Sequence, residues 1–264
     1  MEAEQVPEDA TALMVIAPKR DHNSEVDKKI RDYLKNGGRA VFLTDINFVD
    51  LPNFQALFKS YGIEIKEGFV VEGKSNYRIN HPLWLMPRME AHDILQPIKE
   101  NDIDVIIPNA MPLNIMDVKR DTLEIKPLLT TSTNSWGKSD PQSKTIEKEP
   151  GDFDGPFHVA VTVTDQPMEY GKDPAKLMIV TSTSFLNSQI SLLSKGANSD
   201  FLLNGFNWLY DKEEKISIRP KELDVTGVQI SYLWQLIISG IVVIVIPLFI
   251  LIIGIVVWLR RKNL

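Results

Sequence analysis

Leu13–Asp45 reads LMVIAPKRDHNSEVDKKIRDYLKNGGRAVFLTD, which contains a complete strand, helix and strand. LMVIA (13–17) is a short apolar run that is typical of a buried strand. Ser24 opens the helix, Gly37–Gly38 end it, and AVFLT (40–44) is the next strand. Apolar residues recur between them at helical spacing, at Val26, Ile30, Tyr33 and Leu34. A βαβ unit of this kind predicts two parallel strands.

The chain before residue 212 repeats this alternation. A short helix is expected from Pro52 to Tyr61, and Asn198 or Ser199 is expected to cap the start of another. Further strands are expected at 63–72, 104–108, 122–130, 157–164 and 174–181. The sequence therefore predicts an α/β domain, with about seven strands in one largely parallel sheet covered by helices.

Leu236–Leu259 reads LIISGIVVIVIPLFILIIGIVVWL and carries no charge over 24 residues. An α-helix rises about 1.5 Å per residue and a bilayer core is about 30 Å thick, so about 20 apolar residues cross it. The alternative is a buried core helix, but such helices rarely hold so long an apolar run. We expect one transmembrane helix, kinked at Pro247, whose contact with a neighbouring helix involves Ser239, Gly240, Pro247 and Gly254.

The flanks of this helix predict its orientation. Arg260, Arg261 and Lys262 follow it directly, and basic clusters beside a span stay in the cytoplasm. The domain before residue 230 is therefore expected outside the cell membrane. Residues 1–12, MEAEQVPEDATA, are acidic and lack the apolar core of a signal peptide. We expect that an N-terminal part precedes this chain in the complete protein. The alternative is a tail-anchored protein with a cytoplasmic domain.

The composition excludes several function classes. The part before the span holds all 35 acidic residues and all but three of the 29 basic ones, a net charge of −9. This negative charge argues against nucleic acid as a partner and against electrostatic binding of the domain to anionic lipid. The chain has no cysteine, which excludes disulfides, thiol catalysis and thiolate metal sites.

Candidate binding residues follow the predicted strands, because ligands of open α/β sheets bind at the carboxyl ends of strands. Asp45 follows AVFLT, Asn109 follows VIIP, and Ser182, Thr183 and Ser184 follow LMIVT. Residues of these types cap turns and helices more often than they bind ligands. We therefore keep both interpretations, with Asp45 and Asn109 as candidate binding residues.

A second candidate lies in a long polar segment, residues 130–156, which reads as an exposed loop. Long loops of this kind are uncommon unless they are functional. Ser135 and Trp136 lie in its TTSTNSWG stretch, where an exposed tryptophan suits contact with a sugar or a partner protein. The alternative is that the Trp136 ring tucks under the loop.

Signatures of enzymes and metal sites are absent from the sequence. It contains no G-x-S-x-G elbow, H-x-x-x-H pair, phosphate-binding loop or dinucleotide motif. Its four histidines, His22, His81, His92 and His158, occur in unrelated contexts. The sequence therefore disfavours a Ser-His-Asp hydrolase, a zinc enzyme, an ATPase and a dinucleotide enzyme, and predicts neither a cofactor nor a metal.

Three segments resemble the gliding-motility-type auxiliary subunit of ABC transporters. They are YLKNGGRAVFLTD (33–45), IKPLLTTSTNSW (125–136) and NSDFLLNGFNWLYDKEEKISIRPKEL (198–223), followed by a span and RRK. The resemblance covers residues 13–262. It implies a sheet of the flavodoxin or class I glutamine amidotransferase type, shared with a domain of an intraflagellar transport protein. The nucleophile of such amidotransferases is a cysteine, which this chain lacks, so their activity is not carried over.

The resemblance implies a non-catalytic bacterial membrane protein that works with the permease and ATPase of an ABC transport system. Its exterior domain would bind a partner or a cargo. The alternatives are a cell-surface hydrolase that uses an acid such as Asp45, Asp152 or Asp154, and a glycan- or peptide-binding protein centred on Trp136. The expected parts are a flexible N-terminus (1–12), the α/β domain (13–211), a juxtamembrane neck (212–235), the membrane helix (236–259) and a cytoplasmic basic tail (260–264).

Overall fold

The computed structural model describes residues 6–7, 10–46, 51–141, 143–169, 171–211 and 239–262. The chain divides into two compact units, residues 1–217 and 218–264, and each is described by itself. The predicted neck and residues 236–238 of the predicted span lie outside the described residues, as do most of the predicted flexible N-terminus and the last two residues of the tail.

The first unit contains thirteen strands within its described part. In chain order they are β1 Leu13–Ile16, β2 Arg39–Leu43, β3 Ile63–Ile65, β4 Phe69–Glu72, β5 Trp84–Leu85, β6 Arg88–Met89, β7 Ile107–Pro108, β8 Leu113–Ile115, β9 Leu123–Thr130, β10 Ser135–Lys138, β11 Phe153–Asp154, β12 His158–Asp165 and β13 Ala175–Val180. The α-helices of this unit are α1 Ser24–Lys35, α2 Pro52–Ser60, α3 Gln96–Glu100, α4 Ser188–Leu193 and α5 Ala197–Leu209.

Eight strands form the central sheet, in the order β1-β2-β13-β12-β8-β3, with β9 beside β12 and β6 beside β9. β1, β2 and β13 are parallel. Every other pair in this sheet is antiparallel among the described strands. The α/β class is confirmed, but the prediction of a largely parallel sheet is wrong. The reason is that the described residues between β9 and β12, and between β12 and β13, form no α-helix, and parallel strands need such a crossover.

Local sequence accounts for the first βαβ unit. The side chain of Asn23, not of Ser24, caps α1 by accepting a hydrogen bond from the Val26 N–H at 2.9 Å. Leu34 is fully buried on the helix face that meets the sheet. Gly37 has φ +82°, and a Cβ there would lie 2.8 Å from the Asp173 carbonyl oxygen. The tight turn into β2 therefore requires glycine.

Alternate residues of β2 face opposite sides of the sheet. Ala40 and Phe42 pack in a cluster with α1 and α2, whereas Val41 and Leu43 pack in a cluster with α3 and α5. The first cluster takes Ile30, Leu34, Phe54, Leu57 and Phe58 from its helices, and the second takes Ile98, Phe201 and Leu209. Helices therefore cover both faces of the sheet, as predicted.

Two small sheets complete the unit, β11-β10-β4 and β5-β7. β10 and β11 lie within residues 130–156, so the prediction of a long exposed loop is wrong. Ser135 and Lys138 of β10 are 3% and 1% exposed. The prediction assumed that polar residues are exposed. Here the polar groups are buried, because they form hydrogen bonds and ion pairs with one another.

The end of α5 is tied to two strands of the central sheet. Asp211, two residues after the end of the helix, pairs with Lys176 of β13 and lies 3.7 Å from the guanidinium of Arg39 on β2. The Lys176 amine also donates a hydrogen bond to the Trp208 carbonyl at 3.3 Å. This cluster, which we call the α5 clamp, holds the last described residue of the domain.

The second unit is described as one helix. Ile241–Arg261 is 21 residues long with a mean hydropathy of 3.3, which is long and apolar enough to cross a membrane. A π-helical turn, Ile241–Val245, precedes α6, Ile246–Lys262, in which Pro247 is the second residue. Such turns are among the local adjustments by which helices accommodate the N–H that proline lacks.

Candidate functional site

The carboxyl ends of the three parallel strands lie side by side. Ile16, Leu43 and Val180 are in register across β1, β2 and β13, so the residues that follow them share one edge. There the Thr183 hydroxyl donates a hydrogen bond to the half-buried Asp45 carboxylate at 2.6 Å. A carboxylate can accept several hydrogen bonds, so this pair can also receive donors from a ligand.

Two residues of the same edge have features that reduce the stability of the fold. Ala17, directly after β1, has φ +36°, a region that residues with a side chain rarely occupy. Thr44, directly after β2, is 2% exposed, and its hydroxyl has no hydrogen-bond partner among the described residues. A buried polar group without a partner costs about 1–3 kcal/mol. Strained backbone and unsatisfied groups concentrate at functional sites, so this edge is the leading candidate site.

The Asn109 side chain forms no hydrogen bond to this edge among the described residues, but the preceding residue, Pro108, is hydrogen-bonded to it. The Ser182 hydroxyl donates a hydrogen bond to the Pro108 carbonyl and accepts one from the Ser184 N–H at 3.1 Å. Asn109 has φ +52°, and its own N–H donates to the Leu83 carbonyl at 2.9 Å. The structure thus joins the segment that follows β7 to the one that follows β13.

The loop after β1 adds charged residues that the sequence did not single out. The Asp21 carboxylate accepts hydrogen bonds from the N–H groups of Asn53 at 2.9 Å and Phe54 at 3.3 Å, and so caps α2. His22 Nε2 lies 2.9 Å from an Asp27 oxygen. The His22 ring meets the Phe54 ring edge-on at 4.2 Å between centroids. No local signal predicts such a cap, because Asp21 precedes the helix it caps by about 30 residues.

Ser135 is part of a buried polar network in a different sheet. Its hydroxyl donates to the Ser132 carbonyl at 2.8 Å and lies 2.7 Å from the Thr131 hydroxyl. The Glu72 carboxylate, 1% exposed, accepts hydrogen bonds from the N–H of Ser132 at 3.0 Å and its hydroxyl at 2.6 Å. These bonds satisfy the buried groups of β4 and β10, which gives Ser135 a structural role.

Trp136 is half-buried. Its indole N–H donates to the Ile146 carbonyl at 3.1 Å. A Cβ placed on Gly73 would lie 3.1 Å from the Trp136 ring, so the ring covers that glycine. This arrangement corresponds to the alternative in which the ring tucks under the loop.

Lys138 fastens the loop that follows Trp136. Its amine donates to Glu149 at 2.6 Å, to Asp152 at 2.9 Å and to the Glu147 carbonyl at 3.0 Å. Burial opposes the charge on this amine, but Glu149 and Asp152 outweigh it and raise the pKa of Lys138. Burial likewise opposes the Asp152 charge, but the amine and two backbone N–H groups lower the pKa of Asp152. Lys138 and Asp152 therefore stay charged at neutral pH.

Two histidines are partly buried away from the carboxyl edge. His92 Nε2 lies 3.3 Å from the Thr162 hydroxyl and its ring packs against Trp208. His158 Nδ1 lies 3.1 Å from the Thr130 hydroxyl. Burial lowers the pKa of both histidines, so both are neutral at pH 7.

Residues 1–205 match a family of ABC transporter auxiliary components described as "ABC-type uncharacterized transport system". The match covers well over half of the 264 residues. The chain belongs to this family. It is therefore an auxiliary component of an ABC-type transport system, and membership implies association with other ABC transporter components. The predicted resemblance is confirmed at this level.

Two solved structures are similar to the auxiliary component. The "mmIFT52 N-terminal domain" is 15% identical, covers 75% of this chain and 76% of its own, and has a TM-score of 0.54. That similarity shows the fold alone. A "putative thua-like protein" from Bacteroides uniformis is 12% identical over 77% of this chain and 71% of its own, and its TM-score of 0.38 supports no inference. No curated protein matches the chain.

Proposed function

We propose that this auxiliary component is a non-catalytic subunit of the gliding-motility type, anchored in the membrane by its C-terminal helix. Its α/β domain lies outside the membrane and binds a partner or a cargo. Family membership carries the proposal, and the apolar helix Ile241–Arg261 is consistent with a membrane anchor. The partners are the permease and ATPase, and the contact with permease helices involves Ser239, Gly240, Pro247 and Gly254.

The carboxyl edge is the binding surface in this proposal. Asp45 and Thr183 form a direct side-chain pair on it, and Asn109 lies on the adjoining segment. The unfavourable Ala17 and Thr44 support this assignment, because costs of this kind persist where function requires them.

The hydrolase alternative has less support from the acids that motivated it. Asp152 is 3% exposed in its side chain and is paired with Lys138, and Asp154 is paired with Lys148. Asp45 accepts a hydrogen bond from Thr183, and no hydrogen bond between described residues joins it to a histidine. The binding alternative centred on Trp136 is weakened because the indole N–H already donates to Ile146.

Crosslinking in intact native membranes, followed by affinity purification and mass spectrometry, tests the proposal. We expect an ABC permease and an ATPase to be recovered with the chain. Recovery of the chain alone, or with unrelated surface proteins only, would contradict the proposal and leave the helix as a simple anchor.

A pair of variants tests the binding surface separately. Asp45→Ala combined with Thr183→Ala should reduce recovery of the bound partner or cargo severalfold, while Trp136→Phe should leave it unchanged. The Phe variant is the matched control because it removes the indole N–H but keeps an aromatic ring over Gly73. If Trp136→Phe reduced recovery and the Asp45→Ala/Thr183→Ala variant did not, the binding surface would be assigned to Trp136. Substrate turnover that depends on Asp45 would favour the hydrolase.

A further inference from the structure

His22 lies in the loop before α1 and is almost completely buried, with a side chain that is 6% exposed. Its ring packs against the Phe54 ring of α2. A carboxylate lies near each ring nitrogen. Nε2 is 2.9 Å from an Asp27 oxygen, and Nδ1 is 3.6 Å from an Asp21 oxygen. The two contacts differ in kind, because only the first is within hydrogen-bond distance.

The neutral form of this ring leaves one nitrogen without a partner. An ionised carboxylate only accepts hydrogen bonds, so the contact with Asp27 places the proton of the neutral ring on Nε2. Nδ1 then carries no proton, is buried and forms no hydrogen bond among the described residues. It also faces Asp21 as one acceptor faces another. A proton on Nδ1 removes both costs, because an imidazolium donates from both nitrogens.

The charged groups around the ring favour its protonated form. Asp21 of the same loop and Asp27 of α1 face the ring, while residues 19–20 of the loop are basic but exposed. From α2 the ring meets Phe54, which does not titrate. Arg31 donates to Asp27 from its Nε at 2.6 Å. Burial opposes the charge on Asp27, but hydrogen bonds from Arg31 and from the ring lower the pKa of Asp27. Two carboxylates beside one guanidinium leave an excess of negative charge, which an imidazolium cancels.

The same residues connect α1 to α2 at the carboxyl edge. Asp27 lies in the first turn of α1, and Asp21 caps the first turn of α2. The His22 carbonyl also accepts a hydrogen bond from the Asn53 side-chain amide of α2 at 2.7 Å. A bond between the His22 ring and Asp21 would therefore complete a continuous link between the first turns of the two helices.

We propose that Asp21, His22 and Asp27 form a proton-controlled latch between α1 and α2. At low pH the ring takes a proton from solvent on Nδ1, donates to both carboxylates and holds the loop after β1 against α2. At high pH Nδ1 loses this proton and the bond to Asp21 is lost. Histidine changes charge between about pH 5 and 8, so the latch works in that range. The loop begins at Ala17, with φ +36°, so the latch controls one border of the carboxyl edge, whatever that edge binds.

Amide hydrogen exchange of the full chain in detergent, followed by mass spectrometry, tests the latch. The exchange rate of the α2 segment, Pro52–Ser60, is divided by the rate of an unstructured peptide at the same pH, which gives a protection factor. We expect this factor to be about tenfold higher at pH 5.5 than at pH 7.5, because the closed latch adds a charge-assisted hydrogen bond to the residue that caps α2. A factor that is equal at the two pH values, or lower at pH 5.5, would overturn the proposal.

Single variants identify the groups responsible. His22→Gln should remove the rise in protection at low pH, because glutamine does not titrate. Asp21→Asn should remove it as well, because the amide keeps a capping oxygen but not the charge that attracts the imidazolium. His81→Gln, at an exposed position, is the control and should preserve the rise. His92 and His158 are present in all three variants, so their effect on stability is common to them. Circular dichroism establishes that each variant is folded, and either latch variant alone decides the question. A rise that persists in a folded His22→Gln or Asp21→Asn variant would refute the latch.

Discussion

At the residue scale, two threonines at the carboxyl edge provide a matched pair. Thr44 and Thr181 are both fully buried, but among the described residues only the Thr181 hydroxyl has partners, the carbonyls of Met111 at 2.8 Å and Val159 at 3.1 Å. Thr44→Val should raise the free energy of unfolding by about 1–3 kcal/mol, because it removes an unsatisfied buried hydroxyl. Thr181→Val should lower it by about 1 kcal/mol. Urea unfolding of the two variants measures both effects.

Equal loss of stability in both variants would contradict this prediction and indicate that the Thr44 hydroxyl is satisfied in solution. If a bound ligand satisfies it, Thr44→Val should also weaken recovery of the partner or cargo, which links the stability measurement to the proposed binding surface.

Sequence reasoning found part of this site for a definite reason. Asp45 was identified because residues after a predicted strand lie at a sheet edge whatever the strand order. The Asp45–Thr183 bond was not predicted, since it joins residues 138 apart in the chain. Ser135 and Trp136 were expected in an exposed loop, because no local pattern distinguishes a polar side chain in solvent from one bonded to a buried Glu72.

At the element scale, Asn198 docks α5 onto the segment before β7. Its amide donates to the carbonyls of Ile106 at 2.8 Å and Phe185 at 2.7 Å and accepts from the Ile106 N–H at 2.9 Å, in a side chain that is 1% exposed. Asn198→Ala should lower the free energy of unfolding by about 3 kcal/mol, since it leaves several buried backbone groups without partners. Thermal unfolding followed by circular dichroism measures the loss.

Asn207→Ala, on the same helix at a half-buried position, is the control and should change stability by less than about 1 kcal/mol. Similar losses of unfolding free energy in the two variants would mean that both substitutions destabilise the helix itself, and not its contact with the segment before β7.

Asn198 also illustrates which features of the fold could not be predicted from local sequence patterns. Asn198 was expected to cap α5, yet the helix begins at Ala197 and the Asn198 side chain bonds across 92 residues. Strand positions were predictable because apolar runs are local. Strand direction was not predictable, because an apolar run such as β12 or β13 does not indicate whether the strand is parallel or antiparallel to its neighbour. Only the connection between them, whose described residues form no α-helix, indicates the antiparallel arrangement.

At the scale of the whole molecule, His92 and His158 make stability depend on pH. Burial lowers the pKa of both in the folded state, while the unfolded chain binds these protons near pH 6.5. The stabilisation from the neutral histidines is thus present above about pH 6.5 and declines as the pH falls from there toward the lower folded-state pKa values. The urea midpoint should therefore fall between pH 7.5 and 5.5.

The double variant His92→Gln/His158→Gln should flatten this dependence, whereas His81→Gln, at an exposed position, should preserve it. An unchanged slope in the double variant would assign the dependence to other groups.

The proposed orientation is also a property of the whole molecule. Met168→Cys should react with a membrane-impermeant maleimide in intact cells, because Met168 is 90% exposed on the domain. A cysteine replacing Leu264 should react only after permeabilisation. The reverse pattern would place the domain in the cytoplasm and contradict the proposed topology.

The α5 clamp has a mechanical consequence. Tension on the chain beyond residue 211 would enter the domain at Asp211, which is paired with Lys176 of β13 and lies beside Arg39 of β2. These are neighbouring strands inside the sheet, and they are held together by a parallel ladder over five residue pairs. Force on the end of the domain would therefore act on two interior strands of the sheet as well as on α5.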